Sequence, residues 1–390
     1  MKILFYKWNT YGQEDLEQSF LSLGHQVDTL YYVMKSFECE PTFEALLRTK
    51  LQEHSYDFVF SLNYFPIISN LCSEYHLLYL SWTIDSPLLQ LYSTSVRNAC
   101  NYIFSFDSKT TVDIRNLGAK HIYNLPLAVS ETHYGNLTIS EEDRQNYQHA
   151  VTFVGSTYQG KSFLDKATNL PAHLLGYLDG IITAQKHVSG YNFLEELLPP
   201  SVMEELSRYI YLGLGKEFIG TPAMVFANSF LGTKVTEKER LDLLGSIAEH
   251  YPLSLYTKND TAATLPLVQN CGTVDYQSEM PKVFHCSKIN LNITLRNIQH
   301  GIPLRVFDVL ASGGFLLTNM QPDLSPHFID GEDLVVYYDK DDLLQKIGYY
   351  LSHDEERKAI AANGHKKVME VHTHTKRIQT MLSTVFNSNL

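Results

Sequence analysis

The chain has 390 residues, of which 44% are hydrophobic and 19% are charged, values typical of a folded globular protein. Because domains commonly hold about 150 residues, this length predicts two of them. The 43 acidic residues outnumber the 31 basic ones and give a net charge of −12, which excludes a general affinity for nucleic acid or anionic membranes. An anionic ligand therefore needs a local basic pocket.

Cysteine usage and the absence of an apolar leader indicate the compartment. The five cysteines form no Cys-x-x-Cys pair, which favours free thiols in a reducing environment. The first residues lack the apolar core of a signal peptide, and no window approaches the ~20 apolar residues of a membrane span. We therefore expect a cytoplasmic protein without a transmembrane segment.

A strand, a helix and a second strand open the chain. Lys2–Tyr6 are typical of a buried strand, a helical period follows as far as Leu23, and residues 26–32 predict the next strand. Parallel strands joined in this way need a right-handed crossover. Further strands are predicted at 57–61, 77–80, 102–106 and 121–125. The alternation predicts a Rossmann-like α/β domain over residues 1–135.

A second domain follows a polar segment. Residues 135–149 carry no strand pattern and predict a linker, and the strand at 150–154 begins a C-terminal Rossmann-like domain over 150–370. Further strands are predicted at 253–256, 288–293 and 314–318. Helical text predicts an insertion at about 160–248 in this domain, and residues 371–390 predict a C-terminal helix.

The densest group of candidate functional residues lies at 290–314. Arg296 and His300 precede a short helix that carries Arg305 and Asp308. A helix start beside two guanidinium groups suits a diphosphate, and Asp308 could accept hydrogen bonds from ribose hydroxyls. Spacing alone equally allows a surface ion pair between Arg305 and Asp308.

Four blocks of sequence resemble a known family. LNITLRNIQHGIPLRVFDVLASGGFLLTN and the later HFIDGEDLVVYYDKDDLLQKIGYYLSHDEERKAIAANGHKKVMEVHTHTKR resemble the C-terminal lobe of the CgeB-like glycosyltransferases, a spore-maturation-protein group related to family 1 glycosyl transferases. LSWTIDSPLLQLY and IFSFDSKTTVDIRNLGAKHIYNLPLAV resemble their N-terminal domain. The resemblance implies an α/β GT-B fold, with two Rossmann-like lobes facing across a cleft. It places the acceptor on the N-terminal lobe and the nucleotide-sugar on the C-terminal lobe.

The resemblance implies a glycosyltransferase, hexosyl- or N-acetylhexosaminyltransferase-like, with an acceptor protein or glycan. The donor would be a nucleoside diphosphate sugar, with UDP the expected carrier. No cofactor and no obligatory metal are implied, and His372-Thr373-His374 has no further ligand at metal-binding spacing. Two other functions stay open: a GT-B-fold nucleotide-sugar epimerase, which needs no acceptor, and a non-catalytic nucleotide-sugar-binding module.

Motifs of other nucleotide and hydrolase chemistries are missing. No G-x-G-x-x-G follows the first strand, and the sequence has neither the phosphate-binding G-x-x-x-x-G-K-[ST] nor the G-x-S-x-G of a nucleophile elbow. We therefore exclude a conventional dehydrogenase, an ATPase and an α/β-hydrolase.

The resemblance also implies roles for single residues. Asp308 stands where related enzymes bind the donor ribose, and His300 stands where retaining enzymes carry the first glutamate of a Glu-x7-Glu pattern. Arg296 and Arg305 would hold the diphosphate. Two further residues would line the same strand end, Asn292 and Thr294.

Other candidates in the second domain follow predicted strands. Gly155, Ser156 and Tyr158 offer a backbone that a phosphate or sugar could approach, or they form a plain turn. Lys258 would add positive charge at the donor or be an ordinary exposed lysine. Tyr276 would stack on the nucleotide base.

In the first domain, Asp85 is the candidate general base that would deprotonate an acceptor hydroxyl. Its alternative role is that of an N-cap for the next helix. Trp82 would stack on a sugar or fill the core, and Gly12 would admit a sugar or form a tight turn. A base at Asp85 implies an inverting mechanism, whereas the lack of one implies a retaining mechanism.

Overall fold

A computed structural model describes residues 1–167, 169–188 and 190–386. The strands are β1 (Lys2–Lys7), β2 (Gln26–Tyr31), β3 (Phe58–Leu62), β4 (Leu78–Thr83), β5 (Asn101–Ser105), β6 (Ile122–Asn124), β7 (Val151–Val154), β8 (Leu253–Tyr256), β9 (Gln269–Asn270), β10 (Ile289–Asn292), β11 (Leu316–Asn319) and β12 (Val335–Tyr337). The helices are α1 (Gln13–Ser22), α2 (Pro41–Glu53), α3 (Pro66–Glu74), α4 (Ser108–Asn116), α5 (Glu131–Gly135), α6 (Glu141–Tyr147), α7 (Ala172–Lys186), α8 (Pro200–Leu206), α9 (Pro222–Phe226), α10 (Thr233–His250), α11 (Met280–Cys286), α12 (Leu304–Ala311), α13 (Lys340–Ser352), α14 (Asp354–Val371) and α15 (His374–Phe386). These elements form two compact units.

Unit 1 is built on a six-stranded parallel sheet with the order β2-β1-β3-β4-β5-β6. In the register of β1, Ile3 pairs with Val27 on one side and with Phe58 on the other. Strand β1 is buried along nearly its whole length, as expected for a parallel strand covered by helices on both faces. The doubly wound α/β prediction for this part of the chain is confirmed.

Unit 2 contains a second six-stranded parallel sheet, with the order β12-β11-β10-β7-β8-β9. Its core is made by aliphatic and aromatic residues of the strands and of the helices packed against them, such as Leu255 and Leu317 with Ile247 and Ile347. Chain order runs outward in both directions from the central pair β7 and β10. The α/β architecture predicted for this part of the chain is confirmed as well.

Helices occupy much of the region between β7 and β8, where helical text was predicted. Helix α9 continues through a π-helical segment, Ala227–Gly232, into α10. These helices and α7 share a separate apolar core that includes Leu178, Phe226 and Val235. No helix in the described part of the chain is long and apolar enough to cross a membrane.

Two segments that the sequence analysis places with or after the second domain pack instead in unit 1. Within Gly213–Thr221, the Ile219 amide donates to the Tyr92 carbonyl at 2.8 Å. The chain returns to unit 1 at His372, and Arg377 of α15 donates from Nε to the Pro126 carbonyl at 2.7 Å. Such long-range pairings leave no periodic pattern in the sequence, so they were not predicted.

Two local expectations also differ from the structure. The segment predicted as a linker contains helix α6, whose start is closed by a capping box between Ser140 and Asp143. The short strands β9 and β12, of two and three residues, were not predicted.

A pair of helical glycines tests the packing of unit 2. A Cβ added to Gly364 of α14 would lie 2.2 Å from the Asp333 carbonyl oxygen and 2.7 Å from Leu310 Cδ2. We expect Gly364→Ala to lower the free energy of unfolding by about 1–3 kcal/mol, because a backbone atom has to move. Gly180→Ala on α7 is the matched control, since no heavy atom lies within 4 Å of its added Cβ. It should gain up to about 1 kcal/mol in urea unfolding. Equal stability of the two variants would contradict the packing described.

Candidate functional site

The carboxyl ends of the unit 2 strands all point to one edge of the sheet, because every pairing is parallel. Chain order reverses between β7 and β10. Open α/β sheets bind ligands at the carboxyl ends of the two strands that flank such a reversal. Gly155 directly follows β7, and Thr294 lies two residues after the end of β10. The residues at this edge therefore define the candidate site of unit 2.

A buried carboxylate, Asp308, lies on α12 and is only 2% exposed. Two phenols donate to its Oδ1, from Tyr134 at 3.0 Å and from Tyr276 at 3.1 Å. Arg305, one turn earlier on the same helix, places Nη1 3.2 Å from the other oxygen. Both carboxylate oxygens thus have partners, and the Arg305–Asp308 pair is not the exposed surface pair that spacing alone allowed.

The charge state of Asp308 reflects opposing effects. Burial raises the pKa of its carboxyl above the usual range, while the charge of Arg305 and the hydrogen bonds from Tyr134 and Tyr276 act to lower it. Arg305 is itself held in place, since its guanidinium lies 5.1 Å from the centre of the Phe284 ring. The cluster is a prearranged acceptor with one cation beside it.

Tyr276 and Tyr134 differ from what the sequence indicates. We expected the ring of Tyr276 to stack on the nucleotide base. Its hydroxyl donates a hydrogen bond to Asp308, the carboxylate expected to bind ribose. Tyr134 was not predicted at all. It is 6% exposed and comes from α5, 174 residues before Asp308. No local motif surrounds it, so only the fold reveals its role.

Arg296 makes contacts that disfavour the diphosphate role. Its Nε and Nη2 donate to the two oxygens of Glu239 at 2.8 and 2.6 Å, and its Nη1 donates to the Val188 carbonyl at 3.0 Å. With Thr294 it lines a cavity of about 10 Å³, which has room for about one water molecule. This geometry favours a structural role for Arg296, and its charge is already neutralised by Glu239.

Asn292 and Thr294 tie strand ends together. Asn292 Nδ2 donates to the hydroxyls of Thr294 and Thr318 at 3.0 and 2.9 Å, and the Thr294 amide donates to Asn319 Oδ1 at 2.8 Å. Both residues are buried. These hydrogen bonds join the carboxyl ends of β10 and β11. His300 lies half-buried in the turn before α12.

The turn after β7, Gly155–Tyr158, is fixed by a neighbouring strand end. Asn259 Oδ1 accepts hydrogen bonds from Ser156 Oγ and from the Thr157 amide, both at 3.1 Å. Tyr158 adopts a left-handed backbone, with φ of 66°, and its amide donates to Ser156 Oγ at 3.0 Å. Lys258 is adjacent in sequence to Asn259, and its side chain is exposed.

Arg240 on α10 is a second residue that the sequence did not reveal. It is 7% exposed, and its Nη1 donates to the Ser156 carbonyl at 2.6 Å while Nη2 donates to the Ile293 carbonyl. One guanidinium thus bridges the ends of β7 and β10. It lies on a helix about 85 residues beyond the turn that it contacts, within no recognisable motif.

In unit 1, Asp85 is exposed after β4 and is held by Asn63. Asn63 Nδ2 donates to Asp85 Oδ2 at 2.7 Å, and Asn63 Oδ1 accepts from the Ile84 amide at 2.9 Å. The next helical segment starts at Leu89 with Leu88 at its cap, so Asp85 is not an N-cap. The candidate base is thus exposed and oriented by an asparagine whose left-handed φ of 64° suits that residue type.

Trp82 and Gly12 have structural explanations in unit 1. Trp82 is 2% exposed, and its Nε1 donates to the Leu125 carbonyl at 3.3 Å, so it fills the core and offers no face to a sugar. Gly12 has φ of 79° at the start of α1, and no atom lies within 4 Å of an added Cβ. Its backbone conformation, and not crowding, accounts for a glycine there.

Comparison with known proteins was informative for the second half of the chain. Residues 231–383 match the family described as glycosyl transferase-like, a segment shorter than half of the chain. It includes Arg240, Arg305 and Asp308. A search of curated proteins gave no significant match.

Solved structures share the fold over the whole chain. The complex of Anabaena HepE with UDP-glucose is 10% identical, with 100% of both chains covered and a TM-score of 0.56. The sucrose-phosphate synthase of Thermosynechococcus elongatus is 10% identical, with 100% of both chains covered and a TM-score of 0.61. A glycosyltransferase from Rickettsia africae is 11% identical, with 99% of both chains covered and a TM-score of 0.55.

At such low identity these likenesses show the fold, which is the GT-B fold that the sequence resemblance implied. Together with the family match they support a glycosyltransferase with this fold. The CgeB-like grouping stays a prediction.

The Asp308 cluster gives a prediction with a definite sign. Tyr134→Phe removes a hydrogen bond that favours the ionised carboxylate, so the pKa of Asp308 should rise further above its usual range. An NMR titration of ¹³C-labelled aspartate, with the Asp308 signal assigned from Asp308→Asn, measures this shift. Tyr251→Phe is the control, because its hydroxyl donates to the Leu344 carbonyl instead. A pKa that stayed constant or fell in Tyr134→Phe would contradict the described network.

Proposed function

We propose that this protein is a glycosyltransferase that moves a hexose or N-acetylhexosamine from a UDP-linked donor to a hydroxyl of a protein or glycan. The observation that carries the proposal is the buried Asp308 with Arg305 beside it, on the helix that follows β10. This segment lies within the glycosyl transferase-like match. The GT-B fold supplies the setting in which such a pair recognises a nucleotide.

The carboxylate of Asp308 is suited to vicinal hydroxyls. In the structure, two phenolic hydroxyls already donate to the same oxygen, Oδ1. A ribose hydroxyl would take the place of the one from Tyr276, which is half-exposed, while the buried Tyr134 would stay. UDP is proposed as the carrier because Anabaena HepE, which shares the fold, was solved with UDP-glucose.

The departing diphosphate gains negative charge as the glycosidic bond breaks, and it needs positive charge nearby. Arg305 lies in the first turn of α12, where the free amides of the helix start add to its charge. We propose no cofactor and no metal for this step. The guanidinium group would stabilise the leaving diphosphate directly.

Activation of the acceptor is assigned to Asp85. Its carboxylate would take the proton of an acceptor hydroxyl, whose oxygen then forms the new bond to the anomeric carbon as the bond to the diphosphate breaks. Asn63 fixes one oxygen of this carboxylate and leaves the other for the acceptor. A direct displacement of this kind inverts the anomeric configuration.

Nucleotide binding is the first test of the donor site. We expect calorimetry against UDP, GDP, ADP, CMP and TDP to show binding of UDP, with Asp308→Ala and Arg305→Ala each weakening it by about tenfold or more, the cost of a lost charged hydrogen bond. Lys358→Ala, which removes an exposed lysine of α14 that pairs with Glu355, is the control and should bind as the wild type does. Failure of every nucleotide to bind, or unchanged binding by both site variants, would overturn the donor assignment.

Turnover separates the proposed enzyme from its alternatives. We expect Asp85→Asn to lower the transfer rate by about 10²-fold or more, the usual contribution of a general base, with UDP affinity unchanged. Asp113→Asn, which removes a surface carboxylate paired with Lys109, serves as the control. The assay follows UDP release and the new glycoside by mass spectrometry.

Other outcomes of this assay would argue for a different function. Isomerised nucleotide-sugar formed without an acceptor would indicate an epimerase. Tight UDP-sugar binding with neither product would indicate a binding module.

A further inference from the structure

Arg240 occupies the point of unit 2 where chain order reverses in the sheet. Its two terminal nitrogens donate to the carbonyls of Ser156 after β7 and Ile293 after β10. Removing it would release both strand ends at once. Ile293 is only 1% exposed, so its carbonyl has little access to a replacement donor from water.

The surroundings hold the guanidinium plane in one orientation. The rings of Phe153 and Tyr158 lie 5.1 and 5.2 Å from its central carbon. Nη1 is 3.9 Å from the position that a Cβ on Gly155 would occupy. The left-handed backbone of Tyr158 is an uncommon conformation that needs support from its neighbours, and Arg240 contributes to that support through the Ser156 carbonyl and the Tyr158 ring.

The charge of Arg240 is poorly compensated. Burial is the main cause that lowers the pKa of Arg240 to about 10, and the positive charge of Arg305 acts in the same direction. The carboxylate next to it in sequence, Glu239, raises the pKa but is hydrogen-bonded to Arg296. No carboxylate within the described residues forms a salt bridge with Arg240, and its Nε has no hydrogen-bond partner there.

A buried cation without a paired anion is unfavourable, and repulsion between Arg240 and Arg305 adds to that cost. A ligand that brings negative charge to the strand ends would relieve both effects. No carboxylate of the described residues pairs with Arg240, so an anion that pairs with it would have to belong to a bound ligand.

We propose that Arg240 is a positioning residue for the donor diphosphate. It fixes the Gly155–Tyr158 turn in the shape that the diphosphate meets, and it supplies, with Arg305, the positive charge that attracts that group. This inference rests on the proposed function, and it names the residue that takes over the task expected of Arg296. Its contribution scales with the number of phosphates and not with the nucleoside.

Binding of UDP, UMP and uridine by the full chain tests the inference. We expect Arg240→Met to weaken UDP binding by at least tenfold, UMP binding less, and uridine binding hardly at all. Arg240→Lys keeps the charge but cannot bridge both carbonyls, so its loss for UDP should lie between those of the wild type and Arg240→Met. Raising the salt concentration should weaken UDP binding more in the wild type than in Arg240→Met.

The outcomes separate the role of Arg240 from the proposed function. Equal loss for all three ligands, or no loss for any, would overturn the role of Arg240 while the wild type's UDP binding kept the proposed function intact. Wild-type protein that binds none of the three would overturn the proposed function and this inference with it. Thermal unfolding shows whether Arg240→Met folds. If it does not, Arg240→Lys replaces it in the comparison. Unaltered UDP affinity and salt dependence in Arg240→Lys would then overturn the proposal.

Discussion

Parallel strand pairing is the constraint on which the rest of this structure depends. Because all strands of a sheet run the same way, their carboxyl ends and the side chains that follow them meet at one edge. Residues as distant in sequence as Ser156 and Ile293 thereby become neighbours. The same rule brings Asn63 and Asp85 together in unit 1. Each unit thus concentrates its polar chemistry without any local motif.

The electrostatics of unit 2 follow from which charges are paired inside the chain. Arg296 has Glu239 as a buried bidentate partner, so this pair contributes rigidity. Arg305 shares Asp308 with two tyrosines, and Arg240 donates only to neutral carbonyls. In a chain with a net charge of −12, these three arginines thus differ in how fully carboxylates of the described residues neutralise them.

Sequence patterns predicted the elements well and the partners poorly. The apolar runs of β1 and β8 and the helical period of α1 were sufficient for the α/β fold, because burial on both faces leaves a visible pattern. The sequence pattern placed Arg305 and Asp308 on one short helix, which the structure contains, and their role at a donor stays a prediction. Tyr134, Asn63 and Arg240 escaped because each acts through a contact between distant segments. Arg296 was assigned to the diphosphate because of its position in the resembling segment. That position carries no information about Glu239, the carboxylate that pairs with it.

The path of the chain has a consequence for biosynthesis. Unit 1 contains residues 1–132, the short segment Gly213–Thr221 and the helix α15, so the backbone passes between the units four times. When all six strands of unit 1 have been synthesised, the ribosome has not yet synthesised α15, the helix that packs against α1. Unit 1 must therefore wait for the synthesis of unit 2 before its own fold is complete, and neither unit corresponds to a fragment that a single cut in the gene could separate.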